Sequence, residues 1–467
     1  MVFSSLTFLF AFLPLTLGLY YLVPKSWKNA ILFVSGIIFY AWGEPIYVWV
    51  MVLSTLIDYT AGRLIHRFDD RPKLRTVFLL ISLVMNIGLL GVFKYSSFVV
   101  ENINLLFSLN IPDPALPLPI GISFFTFQSM SYTIDLYLRK IKVQKDLSVF
   151  TTYVTLFPQI VAGPIVRYSQ VADELEHRVI GMNTIAGGIG IFIKGLAKKV
   201  ILANGIGAVW TAIKALDYGE ISVLTAWVGI LAFTFQIYYD FSGYSDMAKG
   251  MGRMLGFHFP DNFRHPYTSK SVSEFWRRWH ITMGEWFKSY VYFPLGGSRC
   301  STFKKYRNIF IVWLLTGLWH GASWNFVLWG LYFGILLVLE RLFLQKLLDK
   351  LPKFLQVAYT FLLVIFGWVL FEMTDMTSLA GFFGAMFGFA GGFAAHYAVF
   401  TVWNNLVLFI LCAICATTLP DRFVVKMRRK YHRATEIALP VVQTVTLLVC
   451  IAFLVNATYN PFLYFNF

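Results

Sequence analysis

Histidines in strongly apolar surroundings are the residues of this sequence best suited to acid–base chemistry. His320 follows the apolar run Asn308–Gly317 and precedes the apolar run Val327–Leu339. If the basic residues at 304–307 mark the cytoplasmic end of a helix, His320 lies about thirteen residues along it, roughly 20 Å into a hydrocarbon core of about 30 Å. An ionisable side chain at that depth is costly and usually has a functional role.

The neighbours of His320 leave room for a second molecule. Trp319 and Trp324 bracket the histidine, and Gly321-Ala322 adds little bulk beside it. Desolvation favours the neutral imidazole, which can accept a proton near pH 7. The residue types are compatible with a packing residue, a proton-relay element or a catalytic base, and the setting favours a functional role.

A second histidine, His280, lies in the most unusual segment by composition, Asn262–Val291. From Val272 onward, a step of about 100° per residue predicts an amphipathic helix with His280 at the boundary between its two faces. One face would carry Trp276, Trp279, Met283, Trp286, Phe287 and Tyr290. This pattern is also typical of a helix that lies in the headgroup plane with aromatic anchors.

The histidine pair alone does not predict a metal site. About forty residues separate the two, no H-x-x-x-H spacing occurs, and no third ligand is evident. Cys412 and Cys415 form a C-x-x-C within an apolar run and have no second pair, so we interpret them as small residues in helix packing. The sequence also lacks a G-x-S-x-G elbow, a P-loop and a dinucleotide fingerprint.

The composition predicts an all-α polytopic membrane protein. Of 467 residues, 58% are hydrophobic and 13% are charged, about half the charged fraction of a soluble domain. The spacing of apolar runs predicts about eleven transmembrane helices plus re-entrant or interfacial pieces. No polar block is long enough for a separate domain, so we predict one membrane-embedded domain over residues 1–467.

The net charge of +15 indicates membrane orientation, not nucleic-acid binding. The basic residues cluster in short loops, as the positive-inside rule requires of cytoplasmic segments. They also suit an anionic inner leaflet. The apolar N-terminal run Val2–Val23 is followed by Lys25 and Lys28, which places the N-terminus outside and argues against a cleaved signal.

Three segments carry more specific structural predictions. Val77–Val99 is predicted to span the membrane outward and to lead into an outside loop, 101–119. Leu147–Val161 is predicted to be a broken or re-entrant helix, because it is short and ends before Gly163-Pro164. Ile221–Tyr239 is predicted to span, and the polar stretch 240–246 that follows either lines a vestibule or caps the helix end.

Several motifs occur together in a characteristic order. They are Phe157-Pro158-Gln159, Gly163-Pro164, Asn262-Phe263-Arg264-His265-Pro266-Tyr267, Phe275-Trp276-Arg277-Arg278-Trp279-His280, Tyr292-Phe293-Pro294-Leu295-Gly296-Gly297 and Gly317-Leu318-Trp319-His320-Gly321. Taken jointly, they make the chain resemble the membrane-bound O-acyltransferase (MBOAT) family, in the bacterial branch of alginate O-acetyltransferases and D-alanyl transferases of teichoic acid. The resemblance covers most of the chain and is strongest over about 119–339.

The resemblance implies a ring of helices around a thinned centre, open to the cytoplasm for the acyl donor and to the outside for the acceptor. It also implies that His320 is the catalytic histidine and His280 its supporting partner. Candidates for lining the path between donor and acceptor are Trp319, Trp276, Tyr292, Asp240, Asn262, Arg278 and Ser323. The chain beyond Leu339 is more similar in length to the alginate branch.

These observations predict an O-acyltransferase of the bacterial inner membrane. It would move an acyl group, most simply acetyl, from a cytoplasmic thioester, acetyl-CoA or an acyl carrier protein, without a bound cofactor or metal. The acceptor would be an exported polysaccharide, or a periplasmic or extracellular acyltransferase partner; alginate, another exopolysaccharide, peptidoglycan and teichoic acid remain open. The alternative is a proton-coupled transporter or exporter that uses His320 and His280 as a proton relay.

Overall fold

The computed structural model describes residues 1–161, 163–456 and 463, and in this part of the chain the regular elements are all helices. Two compact units divide the chain. The first comprises Met1–Phe192 and Ser245–Pro260, and the second comprises Ile193–Tyr244 and the described residues from Asp261 onward. The all-helical prediction is confirmed. The single domain predicted for residues 1–467 stays a prediction.

The first unit contains eight helices at its N-terminal side, the last of which continues into the second unit. They are α1 (Leu13–Leu22), α2 (Lys28–Ala41), α3 (Val48–Arg67), α4 (Pro72–Phe107), α5 (Ile122–Tyr137), α6 (Leu147–Thr155), α7 (Tyr168–Glu176) and α8 (Met182–Ala197). A π-helical segment, Phe8–Phe12, precedes α1. α3 packs on α4 and α5, and the buried contact includes a polar group in which the Asp58 carboxylate accepts from Ser82 and Asn86.

The remaining helices belong mainly to the second unit. They are α9 (Asn204–Lys214), α10 (Val223–Met254), α11 (Val272–Arg278), α12 (Ile281–Phe287), α13 (Thr302–His320), α14 (Trp324–Leu339), α15 (Gln345–Leu348), α16 (Lys353–Glu372), α17 (Met376–Met386), α18 (His396–Asn404), α19 (Leu406–Cys415), α20 (Leu419–Lys430) and α21 (His432–Asn456). Short π-helical segments join α8 to α9 and α14 to α15.

Six helical segments of the described chain are long and apolar enough to cross a membrane: Val48–Arg67, Pro72–Phe107, Val223–Met254, Trp324–Leu348, Lys353–Glu372 and His432–Asn456. A seventh is possible if the bent pair α18–α19 counts as one span. Shorter apolar helices include Phe8–Leu22 and Met376–Met386. The multi-pass prediction is confirmed, whereas the count of eleven spans is not.

Two predicted membrane spans continue past their predicted ends. The helix predicted to end at Val99 continues through Glu101 to Phe107, so the outside loop begins later than the charge of Glu101 suggested. The helix predicted to end at Tyr239 continues to Met254, so Asp240 lies in its interior. The carboxylate is tolerated there because it forms a buried ion pair with Lys199, whose side chain is 3% exposed.

Close packing of α13 and α14 places the segment around His320. Gly317 of α13 faces the carbonyl oxygen of Phe326, and Gly330 of α14 faces the carbonyl oxygen of Trp313, at distances that leave no room for a Cβ atom. α14 also packs on α16. Small residues at such contacts let helix backbones approach closely inside a membrane. These glycines therefore set the distance between α13, which contains Trp319 and His320, and α14, which begins after Gly321.

The helix that ends at His320 is not among the six candidate spans of the described chain. α13 has 19 residues, and three of its first six, Lys304, Lys305 and Arg307, are basic. Its apolar part therefore runs only from Asn308 to His320, the same run from which the depth of His320 was estimated. His320 is the last residue of this helix, and its depth of roughly 20 Å in the membrane stays a prediction.

Candidate active site

His280 lies at a break between two short helices. The sequence predicted one amphipathic helix from Val272, and this prediction is wrong at Trp279-His280, where α11 ends and α12 begins. His280 has a left-handed backbone (φ 45°, ψ 51°). Residues other than glycine seldom adopt this conformation, although histidine does so more readily than β-branched residues, and it often marks functional sites.

The extended segment around Asn262 satisfies the backbone groups exposed by this break. The Ile281 N–H donates to the carbonyl oxygen of Asn262 at 3.0 Å, and the Arg264 N–H donates to the carbonyl oxygen of Arg278 at 2.9 Å. Buried backbone groups require such partners. The motif Asn262–Tyr267 thus supports the backbone conformation of the motif Phe275–His280.

The Asn262 side chain also fixes the tautomer of His280. Its Oδ1 accepts from the backbone N–H of Thr282 at 3.3 Å and from the Thr282 hydroxyl at 3.0 Å, so this atom is the amide oxygen. The same oxygen lies 3.1 Å from His280 Nδ1. Since an amide oxygen only accepts, Nδ1 must carry the proton, and the neutral ring presents a lone pair at Nε2.

Within the described part of the chain, His280 Nε2 has no hydrogen-bond partner. The side chain is fully buried, its ring centre lies 4.7 Å from that of Phe241, and it is outside the six candidate spans. Burial lowers the pKa of His280 to about 3, because the imidazolium would lose its hydration. Neutral His280 can therefore accept a hydrogen bond at Nε2 but cannot donate one there.

His320 is the last residue of α13 and is 3% exposed. Its ring centre lies 4.9 Å from that of Trp319, 5.0 Å from Trp329 and 5.3 Å from Phe371. The Trp319 ring is in turn 5.8 Å from the ring of His280. One indole is therefore the common neighbour of both imidazoles, so segments forty residues apart in sequence meet in the second unit.

Trp276, another sequence-predicted residue, belongs to the aromatic cluster beside His320. Its ring lies 5.4 Å from Trp329, 4.6 Å from Trp313 and 4.9 Å from Phe333, mostly edge to face. Such contacts hold aromatic side chains rigidly beyond the effect of area burial. The predicted residues that the structure connects through contacts are thus His280, His320, Trp319, Asn262 and Trp276.

The other predicted residues have different surroundings. Asp240 is 1% exposed and forms a buried ion pair with Lys199. Arg278 donates to Glu274 at 2.5 Å and to Thr268 at 3.0 Å. Tyr292 is half-buried at the end of a π-helical segment, and Ser323 is the half-buried N-cap of α14.

Sequence reasoning missed two kinds of residue: aromatic side chains that contact the histidines, and a buried carboxylate at the start of α11. Phe241, Phe371 and Trp329 contact the imidazoles from other helices, and no local pattern marks them. Glu340 is different: it is 1% exposed and accepts from the backbone N–H groups of Val272 and Ser273 at 2.7 and 2.9 Å, at the start of α11. A carboxylate at the end of the apolar run 324–339 was a usable signal.

No group of three or more histidine, cysteine or acidic residues in the described chain could hold a metal ion. The arrangement instead offers two buried imidazoles, one of them held in a defined tautomer, in an aromatic enclosure. Neutral imidazoles in such a place can accept a proton from a hydroxyl group and pass it to a leaving group. This chemistry suits transfer of an acyl group to an alcohol.

Comparisons with known proteins agree with this chemistry. The sequence profile of MBOAT, the membrane-bound O-acyltransferase family, matches residues 139–380. The chain is 40% identical over 393 residues to the probable alginate O-acetylase of Azotobacter vinelandii, covering 83% of this chain and 78% of that protein. It is 32% identical to the peptidoglycan O-acetyltransferase of Helicobacter pylori, covering 100% of this chain and 98% of that protein.

A more distant similarity is to the teichoic acid D-alanyltransferase of Bacillus subtilis, 27% identical over 54% of this chain and 68% of that protein. The matched profile region contains both histidines, the Asn262 segment and the aromatic cluster. The chain therefore belongs to the membrane-bound O-acyltransferase family and is a multi-pass membrane enzyme.

Proposed function

We propose that this enzyme transfers an acetyl group from a cytoplasmic thioester to a hydroxyl group of an exported polysaccharide, directly or through a partner that modifies the polymer. The single observation that carries the proposal is the convergence of His280 and His320 on Trp319. The most similar relatives named above act, by their names, on alginate and peptidoglycan. Both polymers are polysaccharides of the cell surface, and acetyl is the group that both names specify.

In this reaction, neutral His320 removes the proton as the hydroxyl oxygen attacks the thioester carbonyl carbon. A C–O bond forms, the C–S bond breaks, and the leaving thiolate receives the proton from His320. A positioned general base typically contributes about 10²–10⁴ in rate. Holding the thioester and the hydroxyl together in a site that excludes water contributes further.

The sequence suggested that His280 steadies either the thioester carbonyl or the catalytic imidazole. Its tautomer favours the second role, because Nε2 of the neutral ring can accept from an N–H group but cannot donate to a carbonyl oxygen. His280 Nε2 has no partner in the described chain, so it would accept from the N–H of His320 only when the two rings move closer, or from an N–H or O–H group of a substrate. Acetyl-CoA and an acyl carrier protein both remain donors compatible with the basic loops, since both are anionic.

The alternative of a proton-coupled exporter is less well supported. The relatives named above carry the names of transferases, and the described chain has no cluster of carboxylates beside the two histidines. An exporter would move its cargo in response to a proton gradient without forming an ester. Purified enzyme in nanodiscs with labelled acetyl-CoA and a soluble oligosaccharide distinguishes covalent transfer from transport.

The catalytic role of His320 is tested with His320→Ala in cells. We expect the rate at which ester-linked acetyl accumulates on the envelope polysaccharide, followed by mass spectrometry, to fall by roughly 10²–10⁴-fold. Membrane levels of the protein should stay normal. His396→Ala is the matched control, because His396 is an exposed histidine of the same unit. Normal acetylation in His320→Ala would reject the proposed base.

We also propose that the enzyme lies in the bacterial inner membrane with its N-terminus outside and its basic loops in the cytoplasm. The distribution of basic residues supports this orientation. It puts the anionic donor and the basic loops on the same side. Acceptor identity follows from comparing envelope polymers of cells with and without the enzyme.

A further inference from the structure

Two buried indole N–H groups beside His320 have no acceptor in the described part of the chain. They belong to Trp329, which is 1% exposed, and to Trp276, whose Nε1 is shielded from solvent although the ring is half-buried. Buried tryptophan N–H groups usually have a partner. Three other indoles of the same unit follow that rule: Trp210 donates to Glu372, Trp227 to the carbonyl of Met386, and Trp368 to the hydroxyl of Tyr267.

The two indoles are neighbours of each other, and Trp329 is also a neighbour of His320. The ring centre of Trp329 lies 5.0 Å from His320, and the ring of Trp276 lies 5.4 Å from that of Trp329, almost perpendicular to it. Trp276 is further held by edge-to-face contacts with Trp313 and Phe333. The Trp329 ring is therefore held beside His320, and the Trp276 ring is held against Trp329.

Acyl transfer needs donors at this position. When the hydroxyl attacks, the electron pair of the carbonyl bond moves to oxygen, and hydrogen-bond donors fixed in a site without water stabilise that negative charge. His280 cannot supply such a donor, because Asn262 and Thr282 hold it in the tautomer with a bare Nε2. Other rigid N–H groups must serve.

We propose that the indole N–H groups of Trp329 and Trp276 bind the carbonyl oxygen of the thioester and stabilise the oxyanion that forms on attack. The oxyanion then re-forms the C=O bond and expels the thiolate, which takes the proton held by His320. This inference rests on the proposed acyl transfer. In this assignment the two tryptophans stabilise the negative charge on the carbonyl oxygen, and His320 removes the proton from the attacking hydroxyl.

The sharpest test removes the N–H while keeping the ring. Replacing Trp329 with 3-benzothienylalanine exchanges N–H for sulfur and preserves the shape of the bicyclic side chain. With purified enzyme in nanodiscs, acetyl-CoA and a soluble oligosaccharide, we expect kcat to fall by about 10²–10³-fold, the effect of losing one oxyanion donor, with little change in KM. The same exchange at Trp276 should lower kcat in the same direction.

The matched control is the same exchange at Trp368. This ring is also 1% exposed and lies in the same core, but its N–H already donates to Tyr267 at 3.2 Å. Trp329→Phe and Trp368→Phe, both checked for thermal unfolding, provide a second pair if the analogue is poorly incorporated. We expect the kcat of the position-329 variants to fall far more than the kcat of the position-368 variants, while the thermal stability of the two sets is similar.

Two results would separate the inference from the function on which it depends. If His320→Ala abolishes transfer but the Trp329 and Trp276 variants lose no more kcat than the Trp368 variants, the donor assignment is wrong and the acyl transfer stands. If wild-type enzyme produces no ester from acetyl-CoA or an acyl carrier thioester, the proposed function itself fails, whereas a fully active His320→Ala variant would reject only the proposed base.

Discussion

At the scale of single residues, one amide oxygen organises the supporting histidine. Asn262 Oδ1 accepts from Nδ1 of His280 and twice from Thr282, and all three residues are buried. A neutral imidazole held by one nitrogen has its other nitrogen oriented as well, so the direction of the Nε2 lone pair is set by Asn262. The same arrangement stabilises the left-handed backbone of His280.

We expect Asn262→Ala to impair both stability and catalysis. Removing the oxygen leaves buried donors on His280 and Thr282 unsatisfied, which costs roughly 1–3 kcal/mol in the free energy of unfolding. A misoriented His280 should reduce kcat by roughly 100-fold. Denaturation in detergent and acetyl transfer in nanodiscs measure the two effects.

Thr282→Val is the matched control for this prediction. It removes the hydroxyl donor to the same oxygen, but it leaves the contact between Asn262 and His280 intact. We expect a loss of about 1 kcal/mol in stability and a kcat close to that of the wild type. Equal kcat values for the two variants would show that Asn262 does not act through His280.

At the scale of helices, the position of His320 depends on how closely α13 and α14 approach. The contact is made by Gly317 and Gly330, each against a carbonyl group of the other helix. Trp329, next to Gly330, is also the ring that packs on His320. A change in the spacing of these helices would therefore move the base relative to the aromatic enclosure.

We expect Gly330→Ala to destabilise the enzyme and to reduce acetyl transfer strongly. The new Cβ would collide with the carbonyl oxygen of Trp313, and backbone cannot move aside as a flexible side chain can. Overpacking of this kind costs typically 1–3 kcal/mol. Thermal unfolding in nanodiscs and kcat from the oligosaccharide assay report the two effects.

Gly334→Ala serves as the control on the same helix. There the nearest atoms are side-chain carbons, of Phe310 at 3.2 Å and of Trp313 at 3.4 Å, which can shift by a few tenths of an ångström. Alanine is also the better helix former by up to about 1 kcal/mol. We expect near-normal stability and activity, and if Gly330→Ala matched that result, close packing of α13 and α14 would not be required.

At the scale of the whole molecule, orientation in the membrane follows from charge. The segment after α4 contains Asp113 and no lysine or arginine between 101 and 119, whereas α20 contains five basic residues, among them Arg429. Both Asp113 and Arg429 are exposed side chains. The positive-inside rule puts them on opposite sides of the membrane.

We expect Asp113→Cys to react with a membrane-impermeant maleimide in intact spheroplasts, and Arg429→Cys to react only after permeabilisation. Both variants would be made in a parent protein in which Cys300, Cys412, Cys415 and Cys450 are replaced. This cysteine-free parent must retain acetyl transfer. Gel-shift labelling measures both sites. Labelling of Arg429→Cys in intact spheroplasts would show that the orientation is opposite to the one proposed, with the basic loops outside.

Local sequence information was sufficient for the class of protein, and it singled out the two histidines that contact Trp319 in the structure. The low charge and the long apolar runs predict membrane helices, because a helix must satisfy its backbone groups internally in lipid. The helix predicted over Leu147–Val161 begins at Leu147, as the apolar run indicated, but it ends at Thr155, six residues before its predicted end.

Only the tertiary structure decided how these pieces are bent and paired. Side-chain periodicity does not reveal the break at His280, because the groups that satisfy it come from the Asn262 segment. Asp240 suggested the end of a helix, but its charge is compensated by Lys199, forty-one residues earlier in the sequence, and the helix continues. Residue types and their local spacing therefore determined which chemistry was available. Contacts between distant segments determined where the site is assembled, because hydrogen bonds and ion pairs between distant residues leave no periodic pattern in the sequence.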